Sequence, residues 1–246
     1  MITVFYKGVS EFEGWDRFVP FIESFIKDKR LRNVCEIGGG AAPALSAKFV
    51  AENGLYYTVI DEDGGELKKS KMNAEILKTL DICAADDALP GGPFDLLFSR
   101  MTAEHFRQAK VAHVRMNRSL APGGYSVHSF ATLYSFPFVV NRILPEAVVD
   151  ALLSFFAPRD REAHDKFRAY YDRCFGPIKS QQTFFESCGF EILEYRGYFG
   201  HAYYAKRLKL LHGLNCLKAR YLMRNPIPLL TSYATVILRK PVCDAT

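Results

Sequence analysis

Between residues 33 and 131, five short apolar runs alternate with helix-patterned segments, and this rhythm restricts the fold more than any other feature of the chain. Val34, Cys35 and Ile37 form the first run, and LYYTVIDED forms a second that ends at Asp61. TLDICAAD (79–86), FDLLFSR (94–100) and YSVHSFA (125–131) follow. The segments at 43–52, 65–78 and 103–120 read as helices, and APGG stops the last of them. Runs this apolar, separated by helices, predict strands covered on both faces in a doubly wound, mostly parallel α/β sheet. A helix over 14–29, with a stripe of Trp15, Phe18, Phe21, Ile22 and Phe25, precedes the first strand. After residue 178 the pattern predicts a helix at 180–188 with Phe184 and Phe185 inward, then strands in FEILEYRG (190–197) and LLTSYATVILRK (229–240).

The 246 residues suit one domain with a full core. No apolar run reaches the roughly 18 residues that span a bilayer, and MITVFYKGVSEFEGW lacks the layout of a secretory signal. A cytoplasmic protein is expected, with contact at a membrane surface as the alternative. Six scattered cysteines include no CxxC pair, so neither a zinc site nor a disulfide framework is expected. The net charge of +5 is weak ground for a nucleic-acid partner, and none is expected. Its basic residues concentrate in KRLKLLHGLNCLKARYLMR (206–224).

Gly38, Gly39 and Gly40 follow the first strand, at the edge of an open α/β sheet where ligands bind. Gly38 permits a sharp turn, and Gly40 lets the backbone approach a ligand. A nicotinamide or flavin fingerprint needs a glycine where Pro43 stands, and no GK[ST] follows to make a phosphate loop. Asp61 closes the second strand about 20 residues later, where an acid accepts ribose hydroxyls; it can equally cap a turn. Asp86, or Asp87 one residue on, is placed to meet an adenine amino group at the end of the third strand.

Four segments together carry a family resemblance. VCEIGGGAAP (34–43), VIDED (59–63), AADDALPGGPFDLLFSRMTAEHF (84–106) and NRSLAPGGYSVHS (117–129) are similar, in order and spacing, to the motifs of class I S-adenosylmethionine-dependent methyltransferases. The resemblance covers roughly residues 30–130. It implies a Rossmann-like, seven-stranded sheet of order 3-2-1-4-5-7-6 with the seventh strand antiparallel. It implies that Glu36, Gly38, Gly39 and Gly40 surround the methionine part of the cofactor. Asp61 would then hold the ribose with Glu62 among the cofactor-binding residues, Asp86 and its neighbourhood would meet the adenine, and Ser99 and Arg100 would lie beside the cofactor. Ala42 and Gly39 depart from commoner choices at their positions. Two excursions interrupt the single domain over 1–246: an aromatic-rich helical cap at 132–178 after strand five, and a helical insertion at 198–228 between strands six and seven.

Methyl transfer from a sulfonium is an in-line displacement, so the protein chiefly aligns the acceptor and excludes water. A base is needed only where the acceptor must lose a proton. His105, His128 and His201 are the candidates, with Glu104 beside them; each also has a plain structural reading, as a helix-start or strand residue. His201, among the aromatics of YFGHAYY, is expected to line the acceptor side. A small-molecule acceptor, methylated at oxygen, is the leading expectation. RNA or protein acceptors and a non-catalytic scaffold are the alternatives. In the basic helix, Leu210, Leu214, Leu217 and Tyr221 form one side, with Lys206, Lys209, Arg220 and Arg224 broadly opposite. Packing of that apolar side on the cap is expected over membrane contact.

Overall fold

The computed structural model describes residues 2–9, 17–73, 76–84, 87–133, 168–201 and 209–242. Trp15, Asp86, residues 134–167 of the expected cap and the start of the basic helix through residue 208 lie outside the described residues.

An eight-stranded sheet organises the chain. Its strands are β1 (Thr3–Lys7), β2 (Asn33–Ile37), β3 (Tyr56–Asp61), β4 (Leu77–Thr79), β5 (Phe94–Arg100), β6 (Leu120–Ala131), β7 (Glu191–Tyr198) and β8 (Tyr233–Arg239). They lie in the order β1-β7-β8-β6-β5-β2-β3-β4. All neighbours are parallel except β8, which runs antiparallel to β6 and β7. The seven strands from β2 onward reproduce the order 3-2-1-4-5-7-6. The expected count of seven is corrected to eight, because Thr3–Lys7 adds an outer strand parallel to β7, with Thr3 opposite Glu194 and Lys7 opposite Tyr198.

Two apolar layers sandwich the sheet, as alternate side chains of each strand point to opposite faces. On one face α1 (Phe18–Lys29) inserts Phe18, Ile22 and Ile26, and α2 (Ala47–Glu52) inserts Phe49, against Val34, Val59, Leu96 and Phe98. On the other, α4 (Ala109–Ser119) and α5 (Lys179–Ser187) bring Ala112, Met116, Phe184 and Phe185 onto Cys35, Leu97 and Tyr195. Parallel strands with helices on both sides have no wet face, and this explains their near-continuous apolar runs.

Several expected boundaries move, each for a local reason. The helix expected over 43–52 begins at Ala47, because the extended Ser46 caps it by accepting the Phe49 N–H at 3.1 Å. The helix expected over 65–78 is the single turn α3 (Gly64–Lys68), capped by Asp63. The segment 103–120 divides into a 3-10 turn at Ala103–His105 and α4. The third strand is Leu77–Thr79, not 79–86. Past Thr79 the chain turns, and the Asp81 carboxylate accepts the Cys83 N–H at 2.8 Å in a local Asx turn that competes with extension.

Candidate active site

At the carboxyl ends of β2, β3, β4 and β5 lies a cavity of about 190 Å³. Gly38 and Gly40 form one wall, Asp61 and Glu62 the next, Asp81 to Cys83 a third, and Met101, Thr102 and His105 to Arg107 the last. Ile37, Ile60, Leu80, Ile82 and Phe106 make much of its surface apolar.

The three glycines do different work. Gly38 has φ +77°, and a Cβ there would sit 2.3 Å from the Thr102 side chain. Gly39 faces inward onto Val59 and does not reach the cavity. Gly40 has φ +47°, yet among the described residues a Cβ there would meet only Asp61 at 3.6 Å and Glu66 at 3.9 Å. Gly40 therefore keeps open a space beside the Asp61 carboxylate into which a ligand can come close to the backbone.

Asp61 Oδ2 accepts the Gly40 N–H at 2.9 Å, and Oδ1 accepts the Asp63 N–H at 2.9 Å. Burial raises its pKa, while the two backbone donors act the other way. A carboxylate has about four acceptor directions, so two donated bonds leave capacity for ribose hydroxyls.

Glu36 is not a cavity wall. It is buried in β2, where its Oε2 accepts the Ala44 N–H at 2.8 Å and also the Tyr57 hydroxyl. Desolvation pushes its pKa up to about 7 against the effect of those two bonds. The motif acid thus braces the glycine loop from behind. Ser99 and Arg100 also stand outside the cavity wall. Ser99 is fully buried, and its hydroxyl meets His128 Nδ1 at 2.8 Å. Met101 and Thr102, just past the end of β5, occupy the place expected of them. Sequence reasoning missed this pair because the strand had to end before its side chains could turn to the ligand.

Asp86 lies outside the described residues; at that end of the cavity stands Asp81. It pairs with Arg107 at the rim, and its backbone is held by Arg115 from α4. The buried Arg115 guanidinium donates to the carbonyls of Asp81 (3.0 Å) and Asp87 (2.9 Å) and to the Asp87 carboxylate (2.8 Å). Asp87 therefore faces α4 rather than the cavity.

The three candidate histidines separate. His105 lines the cavity, and its Nδ1 lies 3.0 Å from the Arg168 carbonyl. That nitrogen must carry the proton to make this bond, which leaves Nε2 as the acceptor of the neutral ring. His128 is fully buried, with Nδ1 on Ser99 and Nε2 on Ser126 at 2.6 Å, and burial pushes its pKa down to about 3. It is a core residue of β6, closed off from any acceptor. His201 follows β7 and packs edge-on against Tyr233 at 5.3 Å. Burial, then Lys218 and His212, lowers its pKa to about 4. Its strand is four places from β2, about 19 Å at the usual strand spacing, and His201 is not among the cavity residues. Glu104 is buried behind His105, its pKa raised to about 7 by desolvation and its Oε2 without a hydrogen bond among the described residues.

Residues 35–128 match the family model described as a methyltransferase domain. Over those residues the chain is similar to methyltransferase domains. Its Rossmann-like sheet is similar to that of S-adenosylmethionine-dependent methyltransferases. Comparison with curated proteins finds no match. Among solved structures, phosphoethanolamine N-methyltransferase 2 of Haemonchus contortus, in complex with S-adenosyl-L-methionine, is similar with a TM-score of 0.51 and 15% identity, over 85% of this chain and 49% of that one. The present chain spans about half the length of that protein. An S-adenosylmethionine-dependent methyltransferase from Clostridium acetobutylicum gives 0.53 and 11% over 94% and 92% of the two chains. The cyclase SpnF gives 0.52 and 15% over 94% and 86%. At such identities the likeness is one of fold, and the fold hosts more than one reaction. The lining of the cavity suits such a cofactor: a glycine cradle, a buried-edge carboxylate and an apolar slot stand in sequence around it.

Proposed function

We propose that the protein transfers the methyl group of S-adenosylmethionine to a small-molecule acceptor, at oxygen. The observation that carries this reading is the juxtaposition, in one cavity, of the Gly38–Gly40 loop, the Asp61 carboxylate and His105. The Gly38–Gly40 loop would hold the methionine half, with Asp61 and Glu62 on the ribose and Ile82 and Phe106 against the adenine. Asp81, at the same end, is the group in reach of the adenine amine. The cofactor supplies the activated methyl on its sulfonium. The chain aligns the acceptor, keeps water out and removes a proton where the acceptor is a hydroxyl. His105 is the residue placed for that removal.

The insertion between β6 and α5, residues 132–178, is assigned the choice of acceptor. Its described end is tied to the cavity wall. Tyr170 and Tyr171 N–H groups donate to the Glu104 carbonyl at 2.8 and 3.0 Å, and the Asp172 carboxylate accepts the Ala109 N–H at 2.8 Å. A cytoplasmic site of action belongs to the same reading. Incubation with methyl-labelled S-adenosylmethionine and fractionated cell extract tests it. Label should move to a low-mass fraction; label appearing only in protein or RNA contradicts the acceptor class.

A further inference from the structure

Residues 195–243 hold nine Lys and Arg and not one Asp or Glu, so the other 197 residues carry 23 basic against 27 acidic side chains. The positive charge of the chain is thus gathered in one segment, and α6 (Lys209–Arg224) is its principal helix. Ala219 and Leu222 anchor α6 against Phe199, Tyr6 and Val9, just past the carboxyl ends of β7 and β1. Asn215 fixes it further by donating to the His201 carbonyl at 3.2 Å.

The anchoring side is not the side expected to be packed. Leu214, Leu217 and Tyr221 fall in one stripe at helical spacing and are 57%, 62% and 62% exposed. By helical geometry the exposed Lys209, Arg220 and Arg224 border this stripe on one side, and Lys218 lies on the other. Past the helix, Ile227, Leu229 and Leu230 are exposed as well. Large apolar side chains left in water in a contiguous patch mark an interaction site.

The occupant must be both anionic and apolar. Two copies pairing through α6 would press two basic faces together. A nucleic acid would satisfy the arginines but offers nothing to a stripe of leucines. A bilayer with acidic headgroups satisfies both at once: phosphates at the border, acyl chains beneath the stripe. No helix among the described residues is long and apolar enough to cross a membrane, so the contact is with the surface. We propose that α6 and the apolar turn after it lie in the plane of an anionic phospholipid bilayer and dock the protein there. This holds the carboxyl edge of the sheet, on which the cavity opens, towards the membrane.

Sedimentation of the whole chain with vesicles tests the proposal. Wild type should bind phosphatidylcholine–phosphatidylserine vesicles, should not bind pure phosphatidylcholine, and should lose binding as salt rises. Arg220→Gln with Arg224→Gln should weaken binding roughly 30-fold. Leu214→Ser with Leu217→Ser should weaken it roughly tenfold or more. Thermal melting and S-adenosylmethionine affinity should hold in both pairs, since all four side chains are exposed and outside the cavity. Should the double leucine variant not fold, Leu217→Ser alone serves. Equal binding to neutral vesicles, or none to anionic ones, overturns the proposal. So does binding of an RNA oligonucleotide that outcompetes vesicles and survives the leucine changes, or a dimer in light scattering that those changes dissolve.

Discussion

Glu36 stands one residue before the end of β2 with its carboxyl inside the protein, accepting from Tyr57 and Ala44. Its pKa is raised from 4.5 to about 7, with burial the largest cause. Between those two values the folded protein keeps a proton that the unfolded chain has released. Stability contributed by this group therefore falls as pH rises through that window and is level above it. Glu36→Gln removes the titration while keeping an oxygen for Tyr57 and Ala44. Its stability relative to wild type should improve from pH 4.5 to 7 in urea unfolding series; a difference independent of pH contradicts this placement. His105 makes the complementary case at the cavity. His105→Gln should lower turnover roughly 100-fold at neutral pH, with cofactor affinity unchanged, whereas His201→Gln should leave the pH profile of turnover as it is. Equal losses in the two variants, read by the same assay, would falsify the assignment of roles. Sequence spacing brought all three histidines to the carboxyl edge of the sheet. It could not rank them, because strand order, burial and the serines around His128 are tertiary facts.

Among the elements, the connection from β4 to β5 departs furthest from its reading. Leu80, Ile82 and Cys83 look like strand, yet they turn because the Asp81 carboxylate bonds locally and Arg115 grips the carbonyls on either side. A buried arginine in the middle of a helix, 28 residues from one partner and 34 from the other, has no local signature. Arg115 is accordingly a positioning residue for the wall that carries Asp81 and Ile82. Arg115→Lys cannot reproduce three bonds in fixed geometry. It should cost about 1–3 kcal/mol of stability and raise the Kd for S-adenosylmethionine several-fold, while the Kd for methionine-half fragments stays unchanged. Calorimetry with the cofactor and with such fragments separates this from general loosening, which would weaken both alike. The exposed stripe of α6 shows the opposite limit. Its apolar spacing was plain in the sequence, but which side of the helix faces the protein was decided by Ala219 and Leu222, the smaller and less conspicuous pair.

For the whole molecule, the alternation of apolar runs and helices was enough to specify a doubly wound sheet, and the motif resemblance supplied its order. The outer strand β1 escaped notice because a five-residue edge strand with half-exposed side chains has neither a long apolar run nor a clean alternation. The cavity walls were legible where they rest on backbone freedom, at Gly38 and Gly40, and on a strand-ending acid, at Asp61. They were not legible where side-chain direction depends on the residue at which a strand stops, at Ser99 and Arg100. The roles given to these residues all require the cavity to be a cofactor site. Titration calorimetry of S-adenosylmethionine into wild type, Gly40→Trp and Asp61→Asn is its most direct test. One site per chain is expected in wild type, no measurable binding when the indole fills the space beside Asp61, and affinity reduced by about 1.5–3 kcal/mol when the carboxylate is lost. Affinity unchanged in both variants would contradict the account.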